Sequence, residues 1–502
     1  MIATLRRLGS RRLAIPLALF ALALLIRLAY AWLWRFDGLY GQDAYAYFDH
    51  ALAIRENLPR GQLPPRDFFW PVGYPALAAL LMLLVGPNAL AAQLASLICG
   101  AALAPLLYGL ADELFADRRA GVLAGLSVAV ASQPIVSSLV AMADMPALFW
   151  ATLAAWLLVR SERAERPGRW LAGAGAALAL AAITRWIYLG LAPAFGLYAL
   201  GLVRRGRVGW TRLVPPLLTG LLIVGSQIML SLGRPEGMAH SWLLGWRPAN
   251  ALRRSFATVD GLASYPLPNG LFYAQPIAHP SYLFPLLGLA ALWAVWRLWR
   301  DRSAPALVLL LGWAGLVYGF LAGIPYQNFR FSLTLYPPLV LLAAAGASDL
   351  ARRVRLAGLV RAGVALSLAA TLAWSTRPVG RFLDVQAADK RSASLIEGRL
   401  PPGAPVVSFG LTLTLRHYTG LRIHELFYLD EAGLAGMLRC ERTLYVVVDP
   451  ANLAGQWRGT ALQRSYDWLR ANAALTALAA LPPYTLFRAD ARGAEEPACA
   501  SP

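Results

Sequence analysis

Apolar runs of about 20 residues recur from Leu13 to roughly Ser375, and short arginine clusters separate them. The hydrocarbon core of a bilayer is about 30 Å thick and a helix rises about 1.5 Å per residue, so such runs read as repeated crossings. With 58% hydrophobic and only 15% charged residues, the chain is a polytopic membrane protein and not a soluble domain.

A net charge of +19 would ordinarily raise nucleic acid as a partner. The arginines argue otherwise. They gather in RRLGSRR near the start, around Arg118, in RSERAERPGR after Arg160, in RRGR at Arg204, in RLWRDR at Arg297 and in ARRVR at Arg352. Clusters of this kind mark loops held in the cytoplasm, so they account for the charge without nucleic acid. The first run, Leu13 to Trp34, follows four arginines; at about 22 residues it exceeds a usual signal core and is expected to remain as an anchor. Cys99 falls within an apolar run, while Cys440 and Cys499 lie in the tail and could pair in an oxidising compartment.

Two clusters on the same side require an even number of crossings between them. From Arg119 to Arg160 there is apolar material for two spans, which places the turn AMADMPA, with Asp144, on the outer side. The hairpin from Leu171 to Val203 puts ITRW, with Arg185, on that face. Two spans between Arg302 and Arg352, joined by GIPYQNFRF, do the same for Tyr326 and Arg330. YPALAALLMLLVG, at about 13 residues, is too short to cross and is expected to lie along the outer surface. About eleven crossings result, with the N-terminus inside and the C-terminus outside. Arg27 lies about 21 Å into the first span and is expected to snorkel to the outer boundary.

Two long outer loops are expected. Residues 35–74 contain GQDAYAYFDHA and RDFFWPVGYP, and residues 233–280 carry His240, Trp246 and His279. Beyond residue 375 the composition changes: APVVSFG, RTLYVVVDP and YTLFRAD read as strands, and RSYDWLRANAALTALAAL reads as an amphipathic helix. The expected organisation is a transmembrane region over 1–375 and a small α/β extracytoplasmic domain over 376–502.

One charged helix tip in water needs no function. Here Asp43, Asp144, Arg185 and Arg330 converge on one face beside aromatic loops, a combination suited to a lipid-linked phosphate. Transfer of a sugar from a polyprenyl phosphate leaves a phosphate, which arginines neutralise, and needs a carboxylate to take the acceptor's proton. Asp43 is the candidate base, and Arg185 and Arg330, with Tyr326, are the candidates for the donor phosphate. Asp144, Asp67, His240 and His279 are candidates for supporting roles.

The order DAYAYFDHALAIRENLPRG, FFWPVGYPALAAL, LADELFADRRAGVLAG, ADMPALFWATLAAWLLVR, LAAITRW and FRFSLTLYPPLVLLAAAG resembles the GT-C glycosyltransferases. The likeness is to bacterial relatives of the protein O-mannosyltransferases and the lipid A aminoarabinose transferase, and it covers Leu13 to Ala347. It implies a helical GT-C-like fold, a catalytic aspartate at Asp43 and a surface helix after the first outer loop. It also implies matching roles for Asp144, Arg185 and Arg330. Many relatives have Asp-Glu where this chain has Asp43-Ala44, and some have glutamate where Trp70 stands; Asp67 or Asp49 would have to compensate. No cofactor is required by any motif, and a divalent cation is left open; Asp49 and His50 are expected to form a solvated helix face.

The implied function is an inverting transfer from a polyprenyl-phosphate-linked sugar to a lipid, glycan or protein acceptor, hexosyl or pentosyl, at the outer face of a bacterial cytoplasmic membrane. The partners are then donor, acceptor and membrane lipid, with no nucleic acid. The alternative is a transporter or flippase of lipid-linked saccharide, which calls for polar midplane residues, broken helices and repeated halves; a purely structural protein gives no reason for acids in aromatic loops.

Overall fold

In the computed structural model, residues 2–65, 68–232, 244–258, 260–301, 304–355 and 357–492 are described. The chain divides into two compact units: 1–252 with 267–383, and 253–266 with 384–502.

The first unit is helical. Its helices are α1 (Ile2–Leu33), α2 (Gly41–Asn57), α3 (Gly73–Val85), α4 (Ala89–Phe115), α5 (Arg118–Val130), α6 (Ser132–Leu139), α7 (Asp144–Arg160) and α8 (Pro167–Thr184). They are followed by α9 (Ala192–Arg204), α10 (Val214–Ser231), α11 (Asn269–Ala274), α12 (Pro285–Arg300), α13 (Ala304–Gly323), α14 (Tyr336–Arg353) and α15 (Ala357–Glu397), the last continuing into the second unit. Among the described residues seven helices are long and apolar enough to span a membrane, or eight with the bent pair α5–α6. The expected eleven requires α7, α8 and α12 to cross as well. Helix α3, at 13 residues, is the short apolar element expected along the surface.

Chain chemistry explains the element ends. Asn88 caps α4 by accepting from the Ala91 N–H at 3.0 Å. Asp117 caps α5 in the same way, accepting from the amides of Arg119 and Ala120. At Ala131 the backbone turns extended (ψ 135°), and α6 leaves α5 at 57°. A break inside a bundle strands carbonyls that hydrocarbon cannot satisfy. Here Arg27 Nη2 donates to Val128 O at 3.2 Å and Ser375 Oγ to Val130 O at 2.7 Å.

Arg27 is therefore fully buried, with its Nε on Ser138 Oγ at 2.9 Å, and does not snorkel. Its depth was compatible with either fate; the stranded carbonyls on its inward side decide it. Gly100 lets α4 approach this point, because a Cβ there would stand 2.0 Å from Ser138 Oγ.

The second unit is a mixed α/β domain. A hairpin of β1 (Ser255–Thr258) and β2 (Gly261–Ser264) stands beside a five-stranded sheet ordered β4-β3-β5-β7-β6. These strands are β3 (Pro405–Ser408), β4 (Arg422–Glu425), β5 (Thr443–Val448), β6 (Ala473–Leu481) and β7 (Tyr484–Ala491). Strand β3 pairs parallel with β4 and β5, and β7 pairs antiparallel with β5 and β6. The alternation of strand side chains splits the apolar core between the two faces. Val407, Leu444 and Val446 pack under α17 (Glu431–Glu441) and α19 (Ala461–Asn472), while Val406, Val447 and Leu486 pack on the face of α16 (Thr412–Tyr418); α18 (Pro450–Ala454) closes a short connection.

One expectation fails here. The amphipathic helix ends at Asn472, and AALTALAAL is strand β6. Alanine and leucine favour helix intrinsically, but pairing along β7 overrides that preference. Cys440 is disulfide-bonded; its expected partner Cys499 lies outside the described residues.

Candidate active site

Four chain segments bring two acids and two arginines together at one end of the first unit. Asp43 occupies the first turn of α2, and Asp144 is the first residue of α7. A carboxylate at these positions meets the partial positive charge of a helix N-terminus. Arg185 follows the last turn of α8, where the backbone becomes extended. Arg330 opens a 3-10 helix, Phe329–Leu335, whose preceding Asn328 accepts from the Arg330 N–H at 3.0 Å.

The side chains meet directly. Arg185 pairs with Asp144 Oδ1. Arg330 Nη2 donates to Asp43 Oδ2 at 2.9 Å, and its Nε faces Asp144 Oδ2 at 3.4 Å. Asp144 is only 4% exposed, whereas Asp43 is 30% exposed and Arg330 23%. Two carboxylates and two guanidiniums balance in charge, which a cluster this buried requires. The Phe331 ring lies 5.2 Å from the Arg185 guanidinium and 5.6 Å from that of Arg330, a cation–π floor beneath both. Met142 completes the wall, its sulfur against Arg330 Nη1.

The loops carrying the acids are tied to α4 by polar residues that the sequence reading passed over. Gln93 Nε2 donates both to Phe36 O (3.1 Å), ahead of Asp43, and to Leu139 O (2.9 Å), ahead of Asp144. Ser96 Oγ donates to Met142 O and accepts from Met142 N–H. The Ala141 N–H donates to Gly38 O at 2.8 Å. Gly38 has φ +92°, and a Cβ there would meet Gln93 Cβ at 2.8 Å, so glycine is needed for both reasons. A signal was present: LAAQLASLICG places amide and hydroxyl groups inside an apolar run, where polar residues are costly.

The other candidates fall elsewhere. The Tyr326 ring packs 5.9 Å from that of Phe331, one ring removed from the arginines. His279 packs against Phe329 and Trp374 and accepts on Nδ1 from the Ser281 N–H at 3.2 Å; burial lowers its pKa. Asp67 and His240 lie outside the described residues. Asp49 is exposed, but His50 is not on a solvated face: it is 6% exposed and stacks on Phe68 at 3.9 Å. Trp70 and Tyr74 join Tyr47 and Phe68 in an aromatic wall beside α2.

Ala44 is fully buried in an apolar cluster. Among the described residues no group of three or more His, Cys, Asp or Glu could hold a metal ion. Among the described residues the charged groups paired with the two site carboxylates are guanidiniums, surroundings that do not suit a cation.

Residues 70–229 match the family model described as dolichyl-phosphate-mannose-protein mannosyltransferase. No curated protein matches the chain in sequence. Among solved structures, ArnT from Cupriavidus metallidurans in the apo state is similar with a TM-score of 0.59 at 15% identity, over 92% of this chain and 97% of that one. The same protein bound to undecaprenyl phosphate gives 0.58 at 15% identity, over 93% and 97%. The Archaeoglobus fulgidus oligosaccharyltransferase tethered to an acceptor peptide gives 0.57 at 14% identity, over 95% and 74%. The chain thus has a GT-C-like fold, shared with these structures.

Proposed function

We propose that the protein transfers a sugar, with inversion, from a polyprenyl-phosphate-linked donor to an acceptor hydroxyl at the extracytoplasmic face of a bacterial cytoplasmic membrane. The observation that carries this reading is the partly exposed Asp43 bonded to Arg330, beside the buried Asp144–Arg185 pair. In one displacement the acceptor oxygen bonds to the anomeric carbon as its proton passes to the Asp43 carboxylate. The bond from that carbon to the phosphate oxygen breaks, and the polyprenyl phosphate leaves with the electron pair and one further negative charge. Arg330 and Arg185 offset that charge as it develops, and Asp144 holds them in place. A general base of this kind contributes about 10²- to 10⁴-fold in rate.

Similar folds support the donor class. One is recorded with undecaprenyl phosphate, and the archaeal oligosaccharyltransferase with dolichol-phosphate and an inhibitory peptide. The basic clusters between spans support a cytoplasmic N-terminus and an outward-facing site, with the α/β domain outside. Whether the sugar is a hexose or a pentose, and whether the acceptor is lipid, glycan or protein, is left to experiment. Tyr326 is proposed to back the phosphate-binding arginines through Phe331, with Asp67, His240 and His279 supporting the outer loops.

A transporter would also contain a broken helix and a buried arginine, and both are present. Arg27 and Ser375 take up carbonyls stranded by that break, as expected of a structural joint and not of a substrate site. Purified protein given donor and acceptor should release polyprenyl phosphate, and Asp43→Asn should abolish release while the protein stays folded. Full turnover by that variant would remove Asp43 from the mechanism. Mass spectrometry of co-purifying lipids would identify the donor.

A further inference from the structure

Arg330 is shared unequally between two carboxylates. Its bond to Asp43 is short and partly exposed; toward Asp144 its Nε stands at 3.4 Å without making a hydrogen bond. Its third contact is the Met142 sulfur, a weak acceptor. The strongest partner of this guanidinium is therefore also the one solvent can reach.

Resting on the donor reading above, we propose that lipid phosphate displaces Asp43 from Arg330 and thereby releases the base, so that the donor must bind before the acceptor can be deprotonated. In the Asp43–Arg330 pair the Oδ2 oxygen is already engaged by the guanidinium at 2.9 Å, so it is not open to an incoming hydroxyl. A phosphate offers the planar guanidinium fork a bidentate fit, so it competes well for the same donors. Asp144, buried and held by Arg185, stays in place and keeps Arg330 at the site when Asp43 leaves. The pair thus keeps the base engaged until a donor is present, which suppresses unproductive deprotonation of acceptor or water.

Competition for one guanidinium has a sign that other roles for Asp43 lack. Removing the competing carboxylate should disable turnover yet tighten phosphate binding. The test is undecaprenyl phosphate binding to the full-length protein in detergent, for wild type, Asp43→Asn, Arg330→Gln and the double variant, each with its thermal unfolding midpoint recorded. Asp43→Ala is included in case the amide carbonyl introduced by Asp43→Asn itself holds the arginine.

The expected result is binding tighter by roughly three- to tenfold on loss of the Asp43 charge, the scale of a partly exposed ionic contact. Arg330→Gln should weaken binding by about tenfold or more, and the double variant should match Arg330→Gln, because the competition acts through that residue. Inorganic phosphate should shift in the same direction. Unchanged or weaker binding in both Asp43 variants, tightening that persists without Arg330, or tightening seen with the lipid but not with inorganic phosphate would each overturn the proposal. An inactive Asp43→Asn that does not bind more tightly, with Asp43→Ala behaving alike, would sink this exchange alone; an active one would remove Asp43 as the base, and a wild type that releases no polyprenyl phosphate from donor and acceptor would sink the transferase reading.

Discussion

Two acid–arginine clusters stand at opposite ends of the segment Phe329–Arg353, which supplies Arg330 to one and Arg352 to the other, and they are finished to different degrees. At one end Asp117 accepts from the amides of Arg119 and Ala120 on Oδ1 and from Ser348 Oγ (2.5 Å) and Arg352 Nη1 (2.6 Å) on Oδ2. Burial pulls its pKa upward, but the Ser348 hydroxyl, the backbone amides and Arg352 outweigh it and hold the carboxyl below its ordinary range. At the other end Arg330 Nε and Asp144 Oδ2 lack hydrogen bonds although both are buried. Saturated ionic clusters hold helices together. A cluster left short of partners is costly to the fold and is most readily completed by a ligand.

The comparison can be broken most directly by neutralising one acid at each end. Asp144→Asn should lower turnover by at least about 10²-fold, because both arginines lose the counter-charge that places them. Asp117→Asn should leave turnover per folded molecule within about twofold while costing about 1–3 kcal/mol of stability. Equal losses of activity at the two ends would erase the distinction.

Gln93→Leu asks whether spacing of the two acids matters as well as their charge. It leaves the Phe36 and Leu139 carbonyls without their shared donor, and we expect turnover to fall about tenfold with little change in KM. A change in melting alone would reduce Gln93 to packing.

The smallest effect concerns pH. A depressed Asp117 pKa means that its contribution is complete above the unfolded value of about 3.9 and is lost as pH falls through the folded value. The difference in unfolding midpoint between wild type and Asp117→Asn should therefore narrow below about pH 4. A difference independent of pH would show that the contribution is not ionic.

Much of the helical unit was legible because arginine clusters fix the parity of crossings, and parity alone assigns Asp144, Arg185 and Arg330 to one face. Counting along the chain gives depth but not the direction in which a residue points around its helix. Arg27 shows the limit: at one depth it can reach headgroups or turn inward, and only the stranded Val128 carbonyl explains why it turns inward. Gln93 escaped notice for a related reason, since its two acceptors lie 57 and 46 residues away in sequence. Strand β6 was lost because its composition favours helix and its partner strand begins beyond a turn that local pattern does not foretell. Ala44 and Trp70 were visible as departures from the family pattern, but only packing places one in an apolar core and the other in an aromatic wall.

Arg330 and Arg352 belong to one continuous segment, Phe329–Arg353, which is 25 residues long. With a 3-10 start and an α-helical remainder it measures about 40 Å, close to a bilayer with its headgroups included. The segment therefore works as a gauge of membrane thickness. A thinner membrane would leave one ionic layer standing proud in water and a thicker one would draw a guanidinium toward hydrocarbon, so the spacing of the two charged layers is built into the length of this rod.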